Sequence, residues 1–222
     1  MCCNSLSFEE GIILIFNNKN MNNPFDAGYF TEDELQNAGF KSIGKNVKIY
    51  KNSTIVGLAN ISIGNNVIID SYCTIIATGK GKLNIGSFVH IGAYCFLAAG
   101  DGIFINDFSG LSQGVKIYSR SDDYSGKYLT NPTIPEKYKG VSRGAVRIES
   151  YVIIGAESVI LPNVTIGEGS SVGALSLVRK NLPKWGMFFG NPIRQLGTRS
   201  NNLLELQRQF LKEYNQSING LE

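Results

Sequence analysis

The chain holds one histidine, His90. Imidazole is the side chain whose ordinary titration falls near neutral pH, so His90 is the leading group for taking a proton. It stands between Val89 and Ile91. Side chains alternate along a strand, so an inward Val89 turns His90 outward. The competing reading of a lone outward histidine is a plain surface or subunit contact. Further on, Asp122 and Asp123 precede Tyr124 in an irregular stretch. Such carboxylates either grip a ligand through charge-assisted hydrogen bonds or close the loop as Asx turns. The four cysteines are Cys2, Cys3, Cys73 and Cys95. They have neither metal-site nor secreted-framework spacing, which predicts free thiols in a reducing cytoplasm. A catalytic zinc site of the γ-type carbonic anhydrase kind needs three histidines, so that chemistry is excluded and no metal is expected.

The element that must carry these groups is visible in the rhythm of the chain. From Ile148 every sixth residue is aliphatic: Ile148, Ile154, Ile160, Ile166, Val172 and Val178. Four residues after each of the first five comes Val152, Ser158, Val164, Ser170 or Ser176. A period of six is a multiple of the strand's two but not of the helix's 3.6. Sustained over such a length, it marks a hexapeptide-repeat parallel β-helix. The same rhythm runs earlier through Ile43, Ile49, Ile55 and Ile61, then Ile63, Ile69 and Ile75. It resumes at Ile85, Ile91, Leu97 and Ile103, and again at Ile105, Leu111 and Ile117, with two-residue slips between frames. Three hexads close one triangular turn, which predicts about five to six coils. Cys73 and Cys95 fall at the small inward position, as buried structural thiols.

The predicted organisation is an N-terminal extension over 1–20, a helical cap over 21–42 and a β-helix over 43–198. An excursion loop spans 119–145, and a C-terminal helix closes the chain over 199–222. Within the cap, one short helix is expected between Phe25 and Phe40, with Thr31 and Glu34 as a capping box and Gly39 as its stop. Leu35 and Ala38 would form its apolar side. In the last segment Leu203, Leu204, Leu206, Phe210, Leu211 and Tyr214 mark one side of an amphipathic helix. That helix is expected to pack or to join subunits, because its polar side lacks the Lys/Arg excess of a membrane-surface helix. The apolar run Ile12–Phe16 is far shorter than the roughly 20 residues of a membrane span. The net charge is only +3 and no basic block stands out, which disfavours a nucleic-acid partner. Charged residues make up 18% and glycines number 25, which suits short strands and tight corners.

Three features narrow the solenoid further: the long loop, the run Ile154–Gly–Ala–Glu–Ser–Val–Ile–Leu–Pro162, and Gly190–Asn–Pro192 between Trp185 and Arg194. On these the chain, over about residues 21 to 199, resembles the left-handed β-helix hexapeptide-repeat acetyltransferases that act on sugars. Ile117–Tyr–Ser–Arg–Ser–Asp–Asp–Tyr–Ser–Gly126 and Asn131–Pro–Thr–Ile–Pro135 are similar to bacterial polysaccharide-pathway members. Those are acyltransferases of dTDP-4-amino-4,6-dideoxy sugars and galactoside-type O-acetyltransferases. The resemblance implies an all-β, left-handed coil and acetyl-CoA as donor. It also implies a cytoplasmic homotrimer with active sites between subunits.

Under that resemblance His90 is the expected base, with Asp122, Asp123 and Tyr124 toward the acceptor. Many relatives carry a histidine at the start of the loop, where this chain has Asp122 and Asp123. The small residues Gly155, Ala156, Gly173, Ala174 and Ser176 would let a pantetheine tail approach the backbone. Arg179, Lys180 and Arg194 would meet phosphates, and Pro192 would pack on adenine. Coil geometry alone also accounts for each small residue. The expected reaction is N-acetylation of a nucleotide-linked amino-dideoxy sugar for a surface polysaccharide. O-acetylation of a galactoside or glycan is the alternative, and a non-catalytic interaction solenoid the more distant one.

Overall fold

The computed structural model describes residues 23–219. The expected extension over 1–20, with Cys2, Cys3 and the run Ile12–Phe16, lies outside them. The chain winds into a three-sided prism of stacked parallel strands. One face stacks six strands, from Ser42–Ile43 through Ile61–Ile63, Leu83–Ile85, Ile103–Ile105 and Val146–Ile148 to Thr165–Ile166. The second stacks Val47–Ile49, Val67–Ile69, Val89–Ile91, Gly110–Leu111, Ile153–Ile154, Ser171–Val172 and Gly186–Phe189. The third runs from Thr54–Val56 to Leu177–Val178. Arg194–Thr198 then folds back antiparallel on Gly186–Phe189 and ends the second face.

The aliphatic positions of the rhythm line the inside of the prism. Ile49, Ile69, Ile75, Ile91, Leu97, Ile117, Ile148, Ile154, Ile160, Ile166 and Val178 are fully buried. The two-residue slips have a simple cause. Ile61 and Ile63 sit on one three-residue strand, as do Ile103 and Ile105, and both ends of such a strand point inward. No coil covers its own edge, so each is stabilised by the coils above and below. Cys73 and Cys95 are buried in this core as free thiols.

One corner of the prism carries left-handed backbone on successive coils: Asn46, Asn66, Phe88, Phe108, Tyr151, Gly169 and Trp185 all have φ between 54° and 67°. Non-glycine residues enter this region at a cost, which neighbouring contacts must offset. Here the offset is a ladder of rings. Phe88 stacks on Phe108 at 4.8 Å between centroids, and Phe108 on Tyr151 at 5.7 Å. Helix α2 (Leu203–Asn219) lies against this ladder. Phe210 meets Phe88 edge-on at 5.3 Å, and the Tyr151 hydroxyl donates to Gln207 at 2.9 Å. Leu206, expected on the apolar side, is instead largely exposed.

Helix α1 (Glu32–Gln36) covers the first coil with Leu35, which is buried. The Thr31–Glu34 capping box is present. The helix is shorter than the segment 25–40, because the chain turns at Asn37 and passes through Gly39 at φ 91°. Ala38 is exposed and gives the helix no buried side. Among the described residues, no helix is long and apolar enough to cross a membrane.

Candidate functional site

Strand Val89–Ile91 alternates as its composition dictates: Val89 and Ile91 are buried and His90 faces out. Because the strands of this face are in register, the outward residues form a straight column. Its members are Lys48, Ile68, His90, Gly110, Ile153, Ser171 and Met187. Adjacent rungs of such a column are about 4.8 Å apart.

A partner for His90 comes from the coil before. Asp70 follows the strand Val67–Ile69, where its backbone N–H donates to the Ile91 carbonyl at 2.9 Å. Its own carbonyl accepts from the Ser53 hydroxyl at 3.1 Å. So held, Asp70 Oδ2 lies 2.8 Å from His90 Nε2. A carboxylate only accepts, so Nε2 carries the hydrogen and donates it. The neutral ring then keeps its lone pair on Nδ1, which is the arrangement a base needs.

The pair opens into a groove of about 410 Å³ whose walls include Tyr94, Ser112, Gln113 and Ile153. Tyr94 stacks on Tyr72 at 5.1 Å along the neighbouring corner, and both rings are exposed. The groove floor is tied from inside the prism. The Cys73 thiol donates to the Gly92 carbonyl at 3.2 Å and the Cys95 thiol to the Ser112 carbonyl at 3.3 Å. The Cys95 thiol is pushed far up by its hydrogen bond with Cys73 and by burial, so it stays protonated.

The excursion loop is ordered at its base. Arg120–Ser121 pairs antiparallel with Ser142–Arg143, and Asp101 receives Arg120 and Arg143 there. The Arg120 guanidinium holds the Asp101 carboxyl below its ordinary value. Of the expected acceptor residues, Asp123 takes the Ser125 hydroxyl at 2.8 Å and its N–H at 3.1 Å, which is an Asx turn. Those bonds hold its carboxyl low. Asp122 accepts the Asn131 N–H at 3.2 Å. Tyr124 is 92% exposed. Asp122 lines a separate cleft of about 340 Å³ with Arg120, Asn131, Glu136, Lys139 and Arg143. Within one chain, then, His90 and Asp122 open onto different clefts.

The expected donor residues sit on the last coils, and several serve the coil itself. A side chain on Gly155 would strike the backbone of Ala174, and one on Gly173 would strike the Phe189 ring. Ser176 is 2% exposed; its hydroxyl donates to Gly173 O at 2.7 Å and accepts the Gly190 N–H at 2.9 Å. Ser176 was expected as a small residue beside the donor's tail; its hydroxyl is engaged inside the fold. Ala156 is half-buried, and Ala174, Arg179, Lys180, Pro192 and Arg194 are exposed. Asp70 was missed in the sequence. It precedes His90 by 20 positions, close to one coil, so stepping back one coil length from the histidine was the signal that could have found it.

Residues 145–180 match the bacterial transferase hexapeptide model of six repeats. The chain is 40% identical over 182 residues to the dTDP-4-amino-4,6-dideoxy-D-glucose acyltransferase of Escherichia coli, covering 82% of this chain and 94% of that one. AntD of Bacillus cereus, an N-acyltransferase solved with dTDP and 3-hydroxybutyryl-CoA, superposes with a TM-score of 0.81 at 43% identity. That match covers 86% of this chain and 99% of the other. A variant of AntD solved with dTDP-4-amino-4,6-dideoxyglucose and coenzyme A matches equally well, with a TM-score of 0.81 over 84% of this chain and 98% of the other. The prism is therefore the left-handed β-helix of these enzymes, and the chain belongs to the hexapeptide-repeat family of CoA-dependent acyltransferases.

Proposed function

We propose that the protein transfers an acyl group from coenzyme A to the amino group of a dTDP-linked 4-amino-4,6-dideoxy sugar. The observation that carries this reading is the Asp70–His90 pair, open to a groove, in a chain similar along most of its length to enzymes of that activity. The free amine attacks the thioester carbonyl, and the C–S bond breaks as the C–N bond forms. The nitrogen's surplus proton goes to His90 Nδ1, and the departing sulfur leaves as the CoA thiol after taking up a proton. Asp70 keeps the ring in the right tautomer and stabilises the imidazolium while it lasts. His90 is the base in this scheme.

The working unit is a homotrimer with its sites between neighbouring prisms. Support comes from the loop: Tyr124, Tyr128, Leu129 and Tyr138 are exposed on their own chain. Asp122 opens onto a cleft away from His90. A neighbouring copy would bring the two half-sites together and cover those rings. The setting is the cytoplasm, in the supply of a sugar for a surface polysaccharide.

The deciding experiment measures CoA release with dTDP-4-amino-4,6-dideoxyglucose and with hydroxyl-only sugars, using acetyl-CoA and 3-hydroxybutyryl-CoA. Turnover with the amino sugar, lost in His90→Asn, is the expected result. Turnover confined to hydroxyl acceptors would replace N-acylation by O-acylation.

A further inference from the structure

Most glycines of the coil are there because nothing else fits. A side chain on Gly92 would come within 2.7 Å of the Gln113 nitrogen, and one on Gly167 within 2.5 Å of the Lys184 nitrogen. Gly28, Gly39, Gly79 and Gly126 have open space but take positive φ, where glycine is favoured. Among the described glycines, Gly110 alone has neither reason. Its φ is not left-handed, and a Cβ built on it meets no atom within 4 Å. It lies in a strand, where glycine costs about 0.5–1 kcal/mol relative to alanine. Folding therefore does not call for glycine at this position.

Its place does. Gly110 is paired with His90 on one side and with Ile153 on the other. It lines the same groove as the Asp70–His90 pair. The missing side chain leaves a notch one rung from the imidazole, about 4.8 Å along the column. Polar groups sit at the His90 end, and the far wall is Ile153, an exposed aliphatic residue at 46%.

We infer that Gly110 is a specificity-determining residue: the notch it leaves, between His90 and Ile153, receives the short aliphatic substituent of the acyl thioester. The inference rests on acyl transfer at His90. The amine must meet the base, so the carbonyl carbon lies beside it at bonding approach. The substituent on that carbonyl then extends along the column, away from Asp70 and toward the apolar wall. A two-carbon acyl barely enters the notch, and a four-carbon one fills it.

The test compares kcat/KM for butyryl-CoA and acetyl-CoA on one amino sugar in the wild-type assembly, Gly110→Ala, Gly110→Val and Ile153→Ala. Gly110→Val should fold with an unchanged or higher melting temperature and lower the butyryl-to-acetyl ratio about tenfold or more. Gly110→Ala should lower it less, and Ile153→Ala should raise it. An unchanged ratio in active, folded Gly110 variants overturns the inference. So does an equal loss with both donors, a change of assembly state, or a wild type that rejects butyryl-CoA outright. A wild type inactive with every acyl donor overturns acyl transfer itself, and the inference falls with it.

Discussion

Asp70 and His90 are 20 positions apart in sequence, yet their side chains meet at 2.8 Å across a single rung of the solenoid. The pair is solvent-facing rather than core, so its removal should leave the fold standing. His90→Asn should lower kcat by about 10²–10⁴-fold with an unchanged melting temperature. Asp70→Asn offers the ring a donor as well as an acceptor, lets the wrong tautomer form, and should give an intermediate loss with an altered pH–rate profile. Wild-type kcat and pH profile in Asp70→Asn would reduce the pair to a surface contact.

Ser176 separates packing from ligand binding. Its hydroxyl bridges Gly173 and Gly190, so Ser176→Ala leaves the part-buried Gly190 N–H without this acceptor, while the Gly173 carbonyl keeps the Ser158 hydroxyl. Stability should fall by about 1–3 kcal/mol, read in a denaturant titration, while KM for the CoA substrate stays put. A raised KM without lost stability would return Ser176 to the donor site.

The loop base should be acid-sensitive. Asp101 is held below the ordinary carboxylate value of about 3.9 by Arg120 and, further, by Arg143. A depressed folded pKa contributes stability that is complete above the unfolded value and lost as pH falls through the folded one. Hydrogen-exchange protection across 119–145, corrected for intrinsic rates, should hold from pH 8 to about 4 and fall below that. Arg120→Ala should show the same loss at pH 7. Equal protection in the variant would mean that the Arg120–Ser121 and Ser142–Arg143 ladder suffices without the ion pairs.

Helix α2 is fastened by rings. Phe210→Ala removes its contacts with Phe88 and Phe108 and its stacking on Tyr214. Each aromatic pair contributes about 0.5–1.5 kcal/mol beyond its area, so α2 should exchange its amides faster while the coil stays protected. Uniform loss of protection through the coil would show that the helix is part of the solenoid's cooperative unit.

The solenoid was legible in the sequence because its core repeats every six residues, and Ile49, Ile91 or Ile154 each declares its own inward direction. The outward stance of His90 followed from Val89 by the same alternation. Contacts between coils were harder to read. Coil length varies: the column steps 20 residues from Lys48 to Ile68 and 22 from Ile68 to His90. One coil back from His90 therefore points to the neighbourhood of Asp70 but no single period singles it out. The task of Ser176 was hidden for a different reason. A small residue near a ligand and a small residue bonding the next turn look alike until the turn is seen.

The excursion loop leaves and re-enters the prism at one point. The Gly144 N–H donates to the Ser119 carbonyl at 3.1 Å, so the two ends of the detour are already joined by the wall they interrupt. The ties from the detour back to the coil gather at its base, where Arg120 donates to the Gly100 carbonyl and pairs with Asp101. The scaffold and the detour can thus diverge at separate rates, and residues 120–143 form a cassette that could be exchanged without redrawing the prism that carries it.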